Sequence, residues 1–580
     1  MESKLVRMCI EAATESGAAV EKWRRQRRTL ERMPSHLAEA LLHHLLRRRL
    51  LFPSLLEVFK YSIEEIDLRG ESCVDAEWMA YLGAFRYLRS MVLADCQRIN
   101  NSAFWNITGM TSLTEVDLSR CSKITDAGVR HLLSVPALAK LCISETSVTA
   151  NGIALLGSLT NLLVLDLGGL PVTDSALKSL KALTKLQHLD IWGSEVSNDG
   201  ADLLKMYPSL SFLNLAWTYI TELPILSSLT CLNMSNCTIQ HLSEEKGHRP
   251  RMEKLILSGA TINNVSEAFQ YIETSRLDFL DLSHASLNSF CFLRSMNALT
   301  HLNLSNSSLI DNSVECIAYV GANLIYLNLS NTKITSDGIG ALAGHVPNLE
   351  TILLSGTAID DTAVSYISMM PSLKVINLNS TNVKGLIHQM GNVPDVVPSF
   401  AALKDLRHLE RLDLEEINVQ DAALFPLASF GRLSYLSLRS VSLTDASLYH
   451  VSSVPNLIYL GFCDAVLTSA GLDCVNLPQT LEVLDMRGCW LLTIDVLIAF
   501  CQKHSQIEVK HELVDTLDKR DFRFSSPSRI TTGPSKCKHK SKLSMSPLRS
   551  DEIFLDQRLK YTREELLALQ FSTSTLQGNS

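Results

Sequence analysis

The stretch LTEVDLSRCSKITDAGVRHLLSV, Leu113 to Val135, changes its apolar period halfway along. In the first half Val116 and Leu118 alternate with polar neighbours, the pattern of a short strand with one buried face. In the second half Ile124, Val129 and Leu132 fall at helical spacing, with Thr125 or Asp126 placed to cap the helix. The phrase L-x-x-L-x-L then recurs, as LLVLDLGGL from Leu162, LSFLNLAWT from Leu210, LTHLNLSNS from Leu299 and LEVLDMRGC from Leu481. Most intervals are 24 or 25 residues. One strand–turn–helix unit cannot bury its apolar face alone, but stacked copies bury a continuous core. The expected fold class is therefore α/β: a solenoid over residues 63–511, with parallel strands on the concave wall of a horseshoe.

Composition narrows what such a body does. The chain has 580 residues, 46% of them hydrophobic, and a net charge of −8. No global basic field recruits nucleic acid, so no direct nucleic-acid binding is expected. The first residues lack the basic-then-apolar-then-small order of a signal peptide. No uncharged apolar run reaches the length of a membrane span. The fourteen cysteines are scattered without C-x-x-C, which argues against zinc and disulfide frameworks. Asn233, Asn303 and Asn328 sit in N-x-S/T triplets, yet they share one repeat position, which makes packing the better reading than glycosylation. A reducing compartment is expected, the cytoplasm first and the nucleus as second candidate. No G-x-x-x-x-G-K-[ST], H-E-x-x-H or G-x-S-x-G occurs. No catalytic, metal or cofactor residue is assigned, and an enzyme is not expected.

The ninth position of the units reads Cys96, Cys121, Thr146, Ser194, Thr218, Cys237, Thr332, Thr357, Thr381 and Cys489. With CSKITDAGV, this resembles the cysteine-containing type of the leucine-rich repeat family, over about three quarters of the chain. The resemblance implies that these small residues turn inward and satisfy backbone groups. Two intervals break the rhythm. Leu210 to Leu229 is 19 residues, too short for a full helix; Leu373 to Leu409 is 36. The second carries an insertion, about 382–405, whose Gly391, Pro394 and Pro398 read as a projecting loop, either a plain surface loop or a partner contact.

On the strands, the fifth position forms a ladder of acids and amides that includes Asp117, Asp166, Asp190, Asn214, Asp413 and Asp485. The third position adds Phe212, Phe279, Tyr326, Tyr435 and Tyr459, with Trp192 and Trp217 nearby. Aromatic anchors flanked by acids suit a protein partner with basic and apolar features. The plain alternative is that Asn and Asp are the ordinary residues of this repeat.

Residues 1–62 read as short amphipathic helices that cap the N-terminal end of the core. A second reading comes from resemblance. Leu5, Cys9 and Ala13 are spaced like the box by which some cullin-ligase receptors hold their elongin adaptor, and Met33 and Pro34 resemble a degenerate F-box start. That implies a substrate receptor of a cullin-RING ubiquitin ligase. Lys4 departs from the box, where a small residue or Pro is usual.

From 512 to 580 the repeats give way to Ser, Pro and Lys, the composition of a disordered tail. Within it stands KYTREELLALQF, Lys560 to Phe571. Thr562 and Glu565 form a capping box, and Tyr561 pairs with Leu566 as a hydrophobic staple. A helix over about 562–571 is too short to persist alone, and so is expected to order on a partner. Tyr561, Leu566 and Leu567 resemble the Y-x-x-x-x-L-Φ motif that binds the cap-binding translation initiation factor 4E. The combination with repeats resembles plant leucine-rich-repeat regulators of translation. It implies initiation factor 4E, including its iso form, as partner, with initiation factors 4A and 3 and the poly(A)-binding protein as further ones. A decoy, YVGANLI from Tyr319, ends in Leu324 and Ile325, and Leu324 opens a repeat strand that should bury it.

Overall fold

A computed structural model describes residues 4–25, 33–224, 226–240, 251–265, 269, 272–389 and 395–514. Tyr561, Leu566, Leu567 and the expected disorder of the tail lie outside the described residues. The chain divides into two compact units, Met1–Ser308 and Leu309–Ser580.

In the first unit, helices Lys4–Ala13, Gly17–Arg24 and Ser35–Arg47 and a 3-10 turn, Pro53–Val58, precede the first strand. The helices are pinned at Thr14, which is fully buried. Its hydroxyl donates to the Ile10 carbonyl at 2.8 Å and lies 3.0 Å from His44 Nδ1, while its own carbonyl accepts Arg48 Nη1 at 3.0 Å.

From Glu65–Asp67 to His301–Asn303, short strands then pair in parallel, one per repeat and in register. The second unit repeats the arrangement from Tyr326–Asn328 to Glu508–Lys510. Apolar side chains at the first, fourth and sixth positions point inward: Leu113, Val116 and Leu118 are at most 1% exposed. Residues between them are half-buried on the opposite face. The fold is a leucine-rich-repeat solenoid. Leu324 of the decoy is fully buried, so that copy of the motif is closed.

The TDxG phrase has a physical reason that crosses repeats. Thr125 caps its own helix, Asp126–Leu132, by accepting from Ala127 N–H. Asp126 instead faces the next unit: Oδ1 accepts Thr149 N–H at 2.8 Å and Oδ2 accepts the Thr149 hydroxyl at 2.7 Å. The same bond pair joins Asp174 to Ser197, Asp311 to Thr335, Asp421 to Thr444 and Asp445 to Thr468. A β-carbon at Gly152 would stand 2.2 Å from Asp126 Oδ1, so glycine leaves room for the carboxylate there; where the neighbouring helix carries Ser447 instead, the serine hydroxyl donates to Asp421.

The ninth position behaves as the resemblance implied, in two ways. Threonines close their own turn: Thr218, Thr332 and Thr357 donate to the carbonyl three residues back at 2.6–2.7 Å. Cysteines reach one repeat further back: Cys96 Sγ to Leu68 O, Cys121 to Leu93 O and Cys489 to Phe462 O, at 3.1–3.2 Å. Burial pushes the Cys96 thiol up to about 12 and that of Cys121 to about 11. Ser194 is the exception, its hydroxyl buried without a partner among the described residues.

The insertion departs from the expected loop. Leu386–Gln389 and Asp395–Pro398 pair as an antiparallel hairpin, and the 3-10 segment Ser399–Asp405 follows. Two prolines disguised the strand pattern, but Pro398 ends its strand, where a missing N–H costs no ladder bond. Residues 390–394, between the strands, lie outside the described residues.

Candidate interaction surface

The fifth-position ladder is built by one local bond. Asp117 Oδ1 accepts the backbone N–H of Ser119 at 3.0 Å, and Asp166, Asp190 and Asp281 each accept likewise from the residue two further on. Asn214, Asn233, Asn303, Asn328 and Asn377 make the same bond through their amide oxygen. On these rungs the fold uses an acceptor and is indifferent to its charge, while Val92, Ile256 and Leu353 occupy the same position without one. Asp190 carries its charge at a cost. Burial raises its carboxyl to about 6, with Asp166 adding to the rise and the bonds from Asn214 and Trp192 opposing it.

Of the third-position aromatics, Phe212 stacks on His188 of the preceding strand at 3.8 Å between ring centres, with planes 5° apart. Burial lowers the His188 imidazole, with Asp166 opposing it. Phe279 meets His301 at 5.9 Å. Trp192 lies against Gly168 and Gly169; a β-carbon at Gly168 would stand 2.0 Å from its Nε1. Trp217 is 64% exposed and adopts a left-handed φ of 59°, a conformation bulky residues avoid. Tyr326 is half-buried on the first strand of the second unit.

In the second unit Tyr435 and Tyr459 stack at 4.3 Å, and the Arg411 guanidinium lies 3.8 Å above Tyr435. Arg411 also donates to Asp413 at 2.8 Å and 3.3 Å. Arg487 holds Asp485 in a similar fork, at 2.9 Å and 2.5 Å. Burial alone would raise the Asp485 carboxyl, but the fork outweighs it and holds the group below the usual range. At Asp413 burial wins and the carboxyl is raised. Arg411, Arg487, His188 and His301 were not singled out from sequence. Aligning neighbouring repeats by position would have set His188, His301 and Arg411 each beside its aromatic partner; Arg487 stands two residues from Asp485 within one repeat. The predicted aromatics do not form one cluster: Trp192 lies in the turn after the strand that adjoins that of Phe212, Phe279 stands apart, and Tyr435 and Tyr459 belong to the second unit.

No described group of three or more His, Cys, Asp or Glu is placed to hold a metal ion, and no described helix is long and apolar enough to cross a membrane. The Leucine Rich repeat family profile matches residues 109–133 and 322–343. No curated protein matches the chain. Among solved structures, the mouse RP105/MD-1 complex is similar at 15% identity over 80% of this chain and 81% of that one, with a TM-score of 0.51. A leucine-rich-repeat protein of Leptospira interrogans is 14% identical over 79% of this chain and 98% of its own, at 0.41. At this identity the likeness concerns the fold alone. Leucine-rich-repeat solenoids are in general binding scaffolds, and this one offers a strand wall suited to protein partners.

Proposed function

We propose that the chain is a non-enzymatic adaptor that binds the cap-binding initiation factor 4E through Tyr561, Leu566 and Leu567 and modulates translation initiation. One observation carries the reading: these three residues occur inside a complete local helix start, with capping box and staple, in a segment whose composition offers no core to receive them. Helix-in-groove docking is the recognition mode that such a start serves. The layout of repeats followed by a terminal motif resembles the plant protein CERES, and by that resemblance the solenoid is the surface for further initiation components. Retention of the full chain on cap-analogue resin in the presence of factor 4E tests it. Tyr561→Ala and Leu566→Ala/Leu567→Ala should abolish retention; equal retention of the variants removes the reading.

A second reading, a substrate receptor of a cullin-RING ligase, is favoured by the N-terminal helix. Leu5 and Met8 are 71% and 56% exposed, and Cys9 is also exposed. With Ala12 they form an apolar stripe at i, i+3, i+4 and i+7 that no described residue covers, while Ala13, the third residue of the box, is half-buried. Co-purification of a cullin or its adaptor, lost on Leu5→Asp/Cys9→Asp, supports it; absence of both from the purified material argues against it.

A further inference from the structure

Between helices Lys4–Ala13 and Ser35–Arg47 runs a groove of about 580 Å³, floored by Ile10 and Ala40. His36, Ala40, His43 and Arg47 fall on one face of the second helix, a stripe about 16 Å long at 1.5 Å per residue. Arg7 faces it from the first helix. The neighbours His44 and Arg48 are committed to Thr14, and that bonding holds the two helices together. His36, His43 and Arg47 are exposed and make no hydrogen bond or ion pair with any described residue. Arg7 pairs with Glu11 at 3.1 Å on the exposed side of its own helix, a contact of little net strength. Glu39 is the one acid on the groove wall among the described residues. The walls are thus set at a fixed spacing, while among the described residues the donors of His36, His43 and Arg47 have no partner and Arg7 has only its exposed Glu11.

We propose that this groove docks an acidic segment of a partner protein, with Arg7 and Arg47 gripping carboxylates and His36 and His43 donating between them. The apolar floor favours a peptide over a nucleic acid: methylene stems of Asp and Glu can lie on Ile10 and Ala40, whereas a phosphodiester backbone gains nothing there. Arginine supplies planar paired donors that match carboxylates. Glu39 lowers affinity and so acts as a filter, admitting segments with charge enough to overcome it. This inference concerns the first unit and is independent of the tail motif.

The test uses the full chain and a labelled twelve-residue peptide of alternating Glu, Asp and Ser, followed by fluorescence anisotropy at low and moderate salt. Binding should weaken with salt, fall about tenfold in Arg7→Gln/Arg47→Gln, and fall less in His36→Gln/His43→Gln. Glu39→Gln should tighten it several-fold, a gain that misfolding cannot produce. A Gln/Asn/Ser peptide should not bind. The proposal is overturned if the acidic peptide fails to bind, if Arg7→Gln/Arg47→Gln or Glu39→Gln leaves affinity unchanged, or if a single-stranded RNA of equal charge binds more tightly at the same groove.

Discussion

One oxygen of Asp361 holds both ends of the inserted hairpin: Oδ1 accepts the Gly385 N–H at 2.7 Å and the Ser399 hydroxyl at 2.6 Å. The other oxygen accepts Lys384 N–H at 3.0 Å, as the acid of the preceding repeat does elsewhere in the solenoid. Gly385 and Ser399 are joined directly as well, through Ser399 N–H to the Gly385 carbonyl at 2.9 Å. The hairpin therefore leaves and re-enters the body at one clamped point, without interrupting the ladder of acids.

Excising Leu386–Val397 and joining Gly385 to Pro398 should leave the solenoid folded. The deletion shortens the 36-residue interval to 24, the length of the interval from Leu409 to Leu433, and keeps all three bonds to Asp361 within reach. Far-UV circular dichroism should be nearly unchanged and the thermal midpoint within a few degrees. Loss of the folded signal would mean that the hairpin is part of the core and not an addition to it.

Asp421→Ala should destabilise the second unit by about 2 kcal/mol, because it strands the Thr444 N–H and hydroxyl, bonded at 2.9 Å and 2.6 Å, together with the Ser447 hydroxyl. Denaturant midpoints report the change. Thr444→Val, which removes only the hydroxyl partner, should cost less.

Asp190→Asn should stabilise the chain near neutral pH by about 1 kcal/mol. The sign follows from linkage. With its carboxyl raised to about 6 by burial, folded Asp190 keeps its proton where the unfolded chain has released it, between about pH 4 and 6. Stability from this group therefore falls as pH rises through that window, and the penalty is full above it. Asparagine retains the acceptor for Trp192 N–H and carries no charge; it gives up the bond from Asn214 Nδ2 at 2.9 Å, a loss that holds the net gain to about 1 kcal/mol. The gain over wild type should be seen at pH 7.5 and vanish near pH 4; an equal gain at both would refute the assignment.

Native-state maleimide labelling should separate the described cysteines sharply. Cys9, Cys73, Cys291 and Cys474 are exposed and should react within minutes. Cys96, Cys121 and Cys489 are buried, bonded to carbonyls and raised by burial, and should label only on unfolding. Peptide mapping by mass spectrometry distinguishes the two sets.

For the tail, magnitudes set an expectation. Burying three large side chains yields about 5–8 kcal/mol, ordering a coupled segment costs about 2–5, and micromolar affinity needs about 8. Flanking residues such as Phe554, Leu555, Leu569 and Phe571 must contribute. Calorimetry should find a tail ending at Leu567 at least about tenfold weaker toward factor 4E than the complete one; equal affinity would show that the flanks do nothing.

Strands were legible because Leu113, Val116 and Leu118 alternate regularly, and every repeat restates the pattern. The small ninth residues were legible by resemblance. What one repeat read alone could not show was lateral: Asp126 looks like a cap until Thr149 is placed beside it, and His188 is anonymous until Phe212 lies on it. The hairpin escaped because Pro394 and Pro398 suppress a strand reading. Trp217 showed its aromatic ring in the sequence but not its left-handed backbone, which is set by the turn that most repeats make after their strand.

The equivalence of Asp117 and Asn233 at the fifth position has an evolutionary consequence. Aspartate and asparagine codons differ by a single base, and the solenoid folds with either. Selection can therefore redraw the ionic landscape of the inner wall one rung at a time, changing whom the molecule attracts while its architecture stays as it was.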